Sequence, residues 1–390
     1  MGSVLNSMGR DSVSMGSFAI YRLPHATECT LVEQLEGSPC CLPSIEYIGA
    51  SPGFVVAPFQ AASDTPVILI RPDRVQRLPL PLLEALSPRA ATRAAKPPAT
   101  VAGGSTAGIP AGIPAAPSPL YTAAFAAFHQ AIAAGRFAKL VLARTADEPA
   151  VATGSHLLLF HQACRLYPRL FVALVSTPQS GTWLVATPEI LLENQGSQWR
   201  TIALAGTMRL TGDDLNSEGE QLSWSVKDIR EQHYVAAYIA DTLRSQGIAF
   251  TEDGPHSVRA ANLVHLRTDF TFSLPSDIIY NNKCTRVGSL LAALHPTPAV
   301  CGLPKADALQ FILDNEPASR RYYSGFMGPV GMDSGQGDVS THLYVTLRCM
   351  ELCPDACRLY AGGGLLAEST VQKEWQETEA KLLTMRQLLS

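Results

Sequence analysis

Residues 358–385 read RLYAGGGLLAESTVQKEWQETEAKLLTM, and the rest of the chain can be placed around this stretch. A strand at 358–360 runs into three glycines, Gly362, Gly363 and Gly364. A helix is predicted from about Thr370, because no Gly or Pro interrupts the run. On it Glu374, Glu377 and Lys381 fall at i, i+3 and i+7 and project from one face. Two carboxylates one turn apart, with a lysine beyond them, suit a hard divalent cation such as Mg²⁺ beside an anionic ligand. Such an ion takes carboxylate oxygens and keeps positions for substrate and water. Glycine N–H groups can approach a carboxylate with no Cβ in the way. Taken alone, the same spacing also describes a solvated helix face.

The pattern recurs upstream. A helix predicted over 227–243 carries Asp228 and Glu231 one turn apart, so two helices could set paired acids across one cation. The stretch FAKLVLAR at 137–144 reads as a strand apolar on both faces, with Phe137, Lys139, Val141 and Ala143 sharing one. Lys139 is then either buried or snorkelling from a strand end. Lysines are seldom fully buried without a reason, and desolvation disfavours an ammonium, which makes a buried lysine a candidate general base. A strand over 182–187 ends at Pro188 and delivers Glu189 ahead of Ile190, Leu191 and Leu192. A carboxyl lodged among apolar groups holds its proton longer and can serve as an acid. LAGT at 204–207 reads as a small-residue turn ending in Thr207. A strand over 264–274 carries His265, with hydrogen bonding as the default role of that imidazole. HLYVTLRCM at 342–350 reads as one strand that puts His342, Tyr344, Thr346 and Arg348 on its more polar face. The Arg348 guanidinium suits a bound carboxylate or a surface salt bridge.

Composition narrows the classes. At 390 residues, 46% hydrophobic and 16% charged, the chain can bury a substantial core. A net charge of −4 without a basic cluster argues against a nucleic-acid partner. Nine cysteines without paired zinc spacing read as reduced thiols of a cytoplasmic protein. Residues 1–17 are polar and are expected to be a disordered tail rather than a signal peptide, and Asn6 stands where myristoylation wants Ser or Thr. No apolar run is long enough to span a membrane. Short strands and turns are expected over 18–87 (FAIYRLP, IEYIGA, GFVVAPF, PVILI), and helices over 121–134 and 306–314. The Ala/Pro/Gly-rich segment 88–119 is expected to be a mobile loop. G-x-G-x-x-G, P-loop, serine-elbow and H-E-x-x-H motifs are absent from the sequence.

In order, LHPTPAVCG at 294–302, RYYSG at 321–325, LRCME at 347–351, LYAGGGLLAES at 359–369 and EWQETEAKL at 374–382 resemble the chorismate-utilising enzymes. The resemblance covers about 137–383 and is nearest to the isochorismate synthase branch. It implies a single α+β domain over 18–390, with packed antiparallel sheets, outer helices and a deep cleft between them. It implies Mg²⁺ joining the ring carboxylate of chorismate to Glu231 and Glu377, with Glu374 and Asp228 beside them directly or through water. Arg348 and Tyr323 would hold the enolpyruvyl carboxylate, aided by the backbone at Gly362, Gly363 and Gly364. Lys381, Thr207 and His265 match further substrate contacts. By the same resemblance, Lys139 deprotonates a water that adds at C2, and Glu189 protonates the departing C4 hydroxyl. The product, isochorismate, would serve menaquinone or siderophore synthesis. Lys139 and Ala299 favour water over ammonia as the nucleophile. The other readings are a salicylate synthase, an ammonia-dependent anthranilate or aminodeoxychorismate synthase component, and a non-catalytic chorismate-binding protein. A cytoplasmic monomer is expected.

Overall fold

The computed structural model describes residues 16–81, 116–152, 155–209, 223–260, 263–274, 284–333 and 337–389. Most of the expected tail (1–17) and of the expected loop (88–119) lies outside them. Where they are described, both stop short of their expected bounds. The Ser17 carbonyl accepts from Gln34 N, so the packed chain begins before residue 18. Ser118 and Pro119 already belong to a helix, since the Ser118 hydroxyl caps it and Pro119 fills its first position.

The six α-helices among the described residues are α1 (Pro119–Ala133), α2 (His156–Leu166), α3 (Val226–Ser245), α4 (Arg286–Leu294), α5 (Lys305–Asn315) and α6 (Val371–Leu389). They cover two antiparallel sheets. The first runs, edge to edge, through Gly302–Leu303, Lys139–Pro149, Ala356–Leu365, Cys349–Leu352, Gly181–Thr187, Phe171–Thr177, Phe18–Arg22, Glu28–Glu33 and Arg74–Pro79. The second runs through Phe250–Ala260, Leu263–Ser273, Gln198–Arg209, Ile190–Gln195, Val339–Val345, Phe326–Val330, Gly53–Ala57, Val67–Ile70 and Cys40–Leu42.

The inner faces of the sheets meet over a core that includes Tyr21, Phe171, Trp183 and Tyr360 from the first and Phe54, Ile202, Met327 and Tyr344 from the second. Phe171 and Tyr344 stack across the seam with ring centroids 4.3 Å apart. Outside the first sheet, α2 and α6 bury Phe160, Leu382 and Met385, while α1 and α5 bury Phe128 and Ile312. Outside the second, α3 and α4 bury Ile239, Leu243 and Leu291. The arrangement is the expected α+β domain.

Local expectations fail where tertiary pairing overrides pattern. IEYIGA forms a 3-10 turn at Ile45–Tyr47 rather than a strand. LAGT lies inside the strand Gln198–Arg209, whose register shifts between Ala205 and Met208; Gly206 takes up that bulge at φ 70°. The three glycines likewise continue a strand, Ala356–Leu365, opposite Ala143, Leu142 and Val141. HLYVTLRCM is two strands in different sheets, Val339–Val345 and Cys349–Leu352, and the break falls at Arg348, whose φ is +32°.

Gly325 is tightly packed near that break. A Cβ there would collide with the Ala57 carbonyl and the Pro58 backbone, neither of which can swing away. Gly325→Ala should therefore cost about 1–3 kcal/mol, read as a lowered midpoint in denaturant unfolding with the slope unchanged.

Candidate functional site

Two passages between the sheets build the site. The chain leaves the first sheet at Thr187, turns through Pro188 and Glu189, and enters the second at Ile190. It returns from Val345 through Thr346, Leu347 and Arg348 to Cys349. The passages are bonded to each other: Val345 N–H donates to Glu189 O (2.9 Å), Thr187 Oγ1 to Val345 O (2.8 Å) and Ala186 N–H to Arg348 O (3.0 Å). Glu189 and Arg348 therefore line one cavity. Thr207, Glu231, His265, Tyr323, Gly362, Gly364, Glu377, Lys381, Ala299 and Val300 complete its wall.

Both passage residues are buried. Burial pushes the Glu189 carboxyl up to about 7, against the nearby positive charges of Arg348, Lys139 and Lys381. Arg348 Nη2 lies 3.3 Å from His265 Nε2, and among the described residues its guanidinium is in no ion pair. His265 Nδ1 lies 2.8 Å from the Gly206 carbonyl, which can only accept. The proton is thus assigned to Nδ1, leaving Nε2 as the acceptor for Arg348. Burial, with Arg348 close by, lowers His265 to about 3 and keeps the ring neutral. Tyr323 is buried and its phenol is pushed well up by desolvation.

The acids and lysines meet beside the cavity. Lys139 is fully buried and stands 2.9 Å from Glu231 Oε1, at an angle too bent for a hydrogen bond. Lys227 donates to Glu374 Oε1 (2.7 Å), which also accepts from Ser369 (2.7 Å). Lys381 spans Glu377 (2.6 Å) and the Gly362 carbonyl (2.8 Å). Burial and then Glu377 raise Glu374 to about 7. Glu377 is held below the usual carboxylate range, because Lys381 and Lys227 outweigh its burial.

The strand of glycines makes this crowding possible. A Cβ on Gly364 would collide with Glu231 Oε1 and stand 2.9 Å from Lys139 Cε. A Cβ on Gly362 would stand 2.8 Å from the Tyr323 hydroxyl. Gly363 points the other way, toward Glu374 Oε2.

Thr207, His265, Tyr323, Arg348, Glu189, Glu231, Glu377, Lys381, Gly362 and Gly364 are therefore gathered as the sequence suggested, with Lys139 directly behind Glu231. Asp228 does not line the cavity: it is half-buried, its carboxylate accepts from the Ser225 hydroxyl at the N-terminus of α3, and burial and then the nearby charges of Glu231 and Glu377 raise it. Sequence reading missed Lys227 and Ser369. Lys227 reads as an ordinary surface partner of Glu231 at i+4, and Ser369 as a helix cap.

Among the described residues no three His, Cys, Asp or Glu side chains stand close enough together, as arranged, to hold a metal ion. The donor set nonetheless suits a hard cation. Glu374 Oε2 is buried without a hydrogen-bond partner, and the glycines leave room at the Glu231 and Glu374 carboxylates.

Ionising Glu189 costs the folded state. Its carboxyl titrates near 7 when folded against 4.5 in an ordinary setting, so the folded state holds the proton over that window. Stability from this group falls as pH rises from about 4.5 to 7, by on the order of 3 kcal/mol. Glu189→Gln should gain up to that amount at pH 8 and nothing near pH 4, measured by denaturant unfolding at both.

Comparison with known proteins agrees with the geometry. The chorismate binding enzyme model matches residues 113–390. Isochorismate synthase EntC of Escherichia coli (strain K12) is 32% identical over 250 residues, 63% of this chain and 61% of that protein. Isochorismate synthase DhbC of Bacillus subtilis (strain 168) is 34% identical over 266 residues, 65% and 63% of the two chains. The chain thus spans less than two thirds of these curated relatives. Two solved structures share the fold: the menaquinone-specific isochorismate synthase MenF from Escherichia coli (TM-score 0.72, 23% identity, 100% of this chain and 91% of that one) and a putative 2,3-dihydroxybenzoate-specific isochorismate synthase, DhbC, from Bacillus anthracis (TM-score 0.70, 23% identity, 99% of both). With the family model covering the whole site-bearing part, this chain belongs to the chorismate binding enzyme family.

Proposed function

We propose that the protein is an isochorismate synthase, a Mg²⁺-dependent isomerase that converts chorismate to isochorismate. The observation carrying this reading is a cavity lined by Glu189, whose carboxyl is still half-protonated near neutrality, and by Arg348, which among the described residues has no anionic partner, with buried Lys139 directly behind Glu231 of the wall. The names of the relatives point the same way.

Chorismate carries two carboxylates. Arg348 and Tyr323 would hold the enolpyruvyl carboxylate, with neutral His265 orienting the guanidinium without competing for the anion. Thr207 and Lys381 would contact the ring substituents. Mg²⁺, held by Glu231 and Glu377 with Glu374 and Asp228 beside them, would neutralise the ring carboxylate. Lys139 takes a proton from water, whose oxygen bonds to C2 as the ring double bonds shift. The C4 hydroxyl leaves as water with the proton of Glu189. One water enters and one departs, so the step is an isomerisation. Nine free cysteines fit a cytoplasmic enzyme, which we take to act as a monomer.

The test is to incubate the protein with chorismate and Mg²⁺ and separate products by chromatography. Isochorismate should accumulate, and EDTA should abolish it. Pyruvate release would favour a salicylate synthase, and an aminated product in ammonium would favour an amine-adding enzyme. Lys139→Ala should lower kcat at least ~10²-fold while the protein stays folded. Turnover should fall as pH rises through about 7, because Glu189 acts in its protonated form. Intact chorismate after incubation with Mg²⁺ would sink the reading.

A further inference from the structure

The strand Lys139–Pro149 is paired along one edge by Ala356–Leu365. Along the other, the ladder stops early. Gly302 and Leu303 face Leu140 and Lys139, and Val141 N–H donates to Cys301 O. The next two groups on that edge, the Val141 carbonyl and the Ala143 N–H, are met by side chains. Arg320 Nη2 donates to Val141 O (2.8 Å), and Glu316 Oε1 accepts from Ala143 N–H (2.6 Å). A guanidinium N–H and a carboxylate oxygen thus stand where a neighbouring strand would offer an N–H and a C=O.

The two side chains close on each other. Arg320 donates to both oxygens of Glu316, at 2.6 Å each, and its remaining nitrogen donates to Val300 O (2.6 Å). The guanidinium lies over the Phe59 ring, 4.2 Å from its centroid, and both side chains are almost wholly buried, 3% and 4% exposed. The Arg320 carbonyl accepts from Tyr323 N–H (2.8 Å). One ion pair therefore touches three segments of the cavity wall. These are the strand two residues past Lys139, the 295–301 loop at Val300, and the turn that presents Tyr323.

We propose that the Glu316–Arg320 pair is a positioning element of the catalytic site, setting the register of Lys139 against Tyr323 and the 295–301 loop. A strand in its place would satisfy the same backbone groups but would fill the space where the three segments converge. A buried bidentate pair is also stiff, because each donor and acceptor has one fixed direction. The inference rests on the isochorismate synthase reading, and the experiment separates the two.

Full-length Glu316→Gln and Arg320→Lys are compared with wild type at a temperature where melting curves show each folded. Glu316→Gln keeps an acceptor for Ala143 N–H but loses the charge. Arg320→Lys keeps the charge but cannot reach Val141 O, Val300 O and Glu316 together. If one variant fails to fold, the other decides. Amide exchange over 139–143 should accelerate at least ~10-fold. With chorismate and Mg²⁺, kcat should drop on the order of 10²-fold while KM moves less than ~3-fold, because the shift displaces the reacting groups more than it weakens binding. Folded variants with wild-type kcat overturn the proposal, even where exchange accelerates, since the pair would then only brace the fold. Absence of turnover in the wild type overturns the isochorismate reading instead.

Discussion

The hydrogen bonds between the two inter-sheet passages are the constraint on which the site depends. A sandwich normally keeps each strand in its own sheet and fills the seam with apolar side chains. Here the chain crosses the seam at Pro188–Glu189 and again at 346–348, and the crossings bond to each other through Val345, Thr187 and Ala186. Satisfying their own backbone groups leaves the Glu189 and Arg348 side chains free to project into the gap. Ser324 N–H to Thr346 O and Thr346 N–H to Gly325 O, both 2.8 Å, tie the Tyr323 turn to the same knot. The left-handed backbone at Arg348 is local strain that these bonds over-determine.

Charge balance follows from that geometry. Lys139, Lys227 and Lys381 pair with Glu231, Glu374 and Glu377, linking one strand, α3 and α6. Buried charges are tolerable when paired, and removing one partner leaves the other exposed to its full desolvation cost. The balance is uneven in two places. Glu374 keeps one oxygen without a hydrogen-bond partner and titrates near neutrality, while Glu377 stays firmly ionised. Lys139 has charge beside it but no aligned acceptor.

Much of this was legible because it depends on local chemistry. Buried Lys139, Glu189 placed after a strand-ending proline, and carboxylates one turn apart on α3 and α6 are all pattern features, and the structure brings Glu189, Glu231 and Glu377 to one cavity with Lys139 behind Glu231. What failed depends on long-range pairing. Alternation cannot show that 342–350 changes sheets at Arg348, because a broken strand and a continuous one share the same periodicity up to the break. Glycine in a strand reads as a turn until its partner is known, and Gly362–Gly364 are strand residues only because Val141–Ala143 lie opposite. Asp228 shows the limit of spacing. Helical periodicity places it beside Glu231, yet a competing local bond to Ser225 turns its carboxylate to the cap of α3.

The His265–Arg348 contact ties the electrostatics back to the knot. An acidic partner at His265's position would neutralise the guanidinium with the protein's own charge. A protonated histidine would repel it. Burial and the Gly206 carbonyl remove both possibilities, because the ring is held neutral and its one proton is committed to Nδ1. That carbonyl is available because Gly206 takes a positive φ at the bulge in the strand Gln198–Arg209. The bulge fixes the tautomer, and the tautomer leaves Nε2 as a neutral acceptor that steers Arg348 without cancelling its charge.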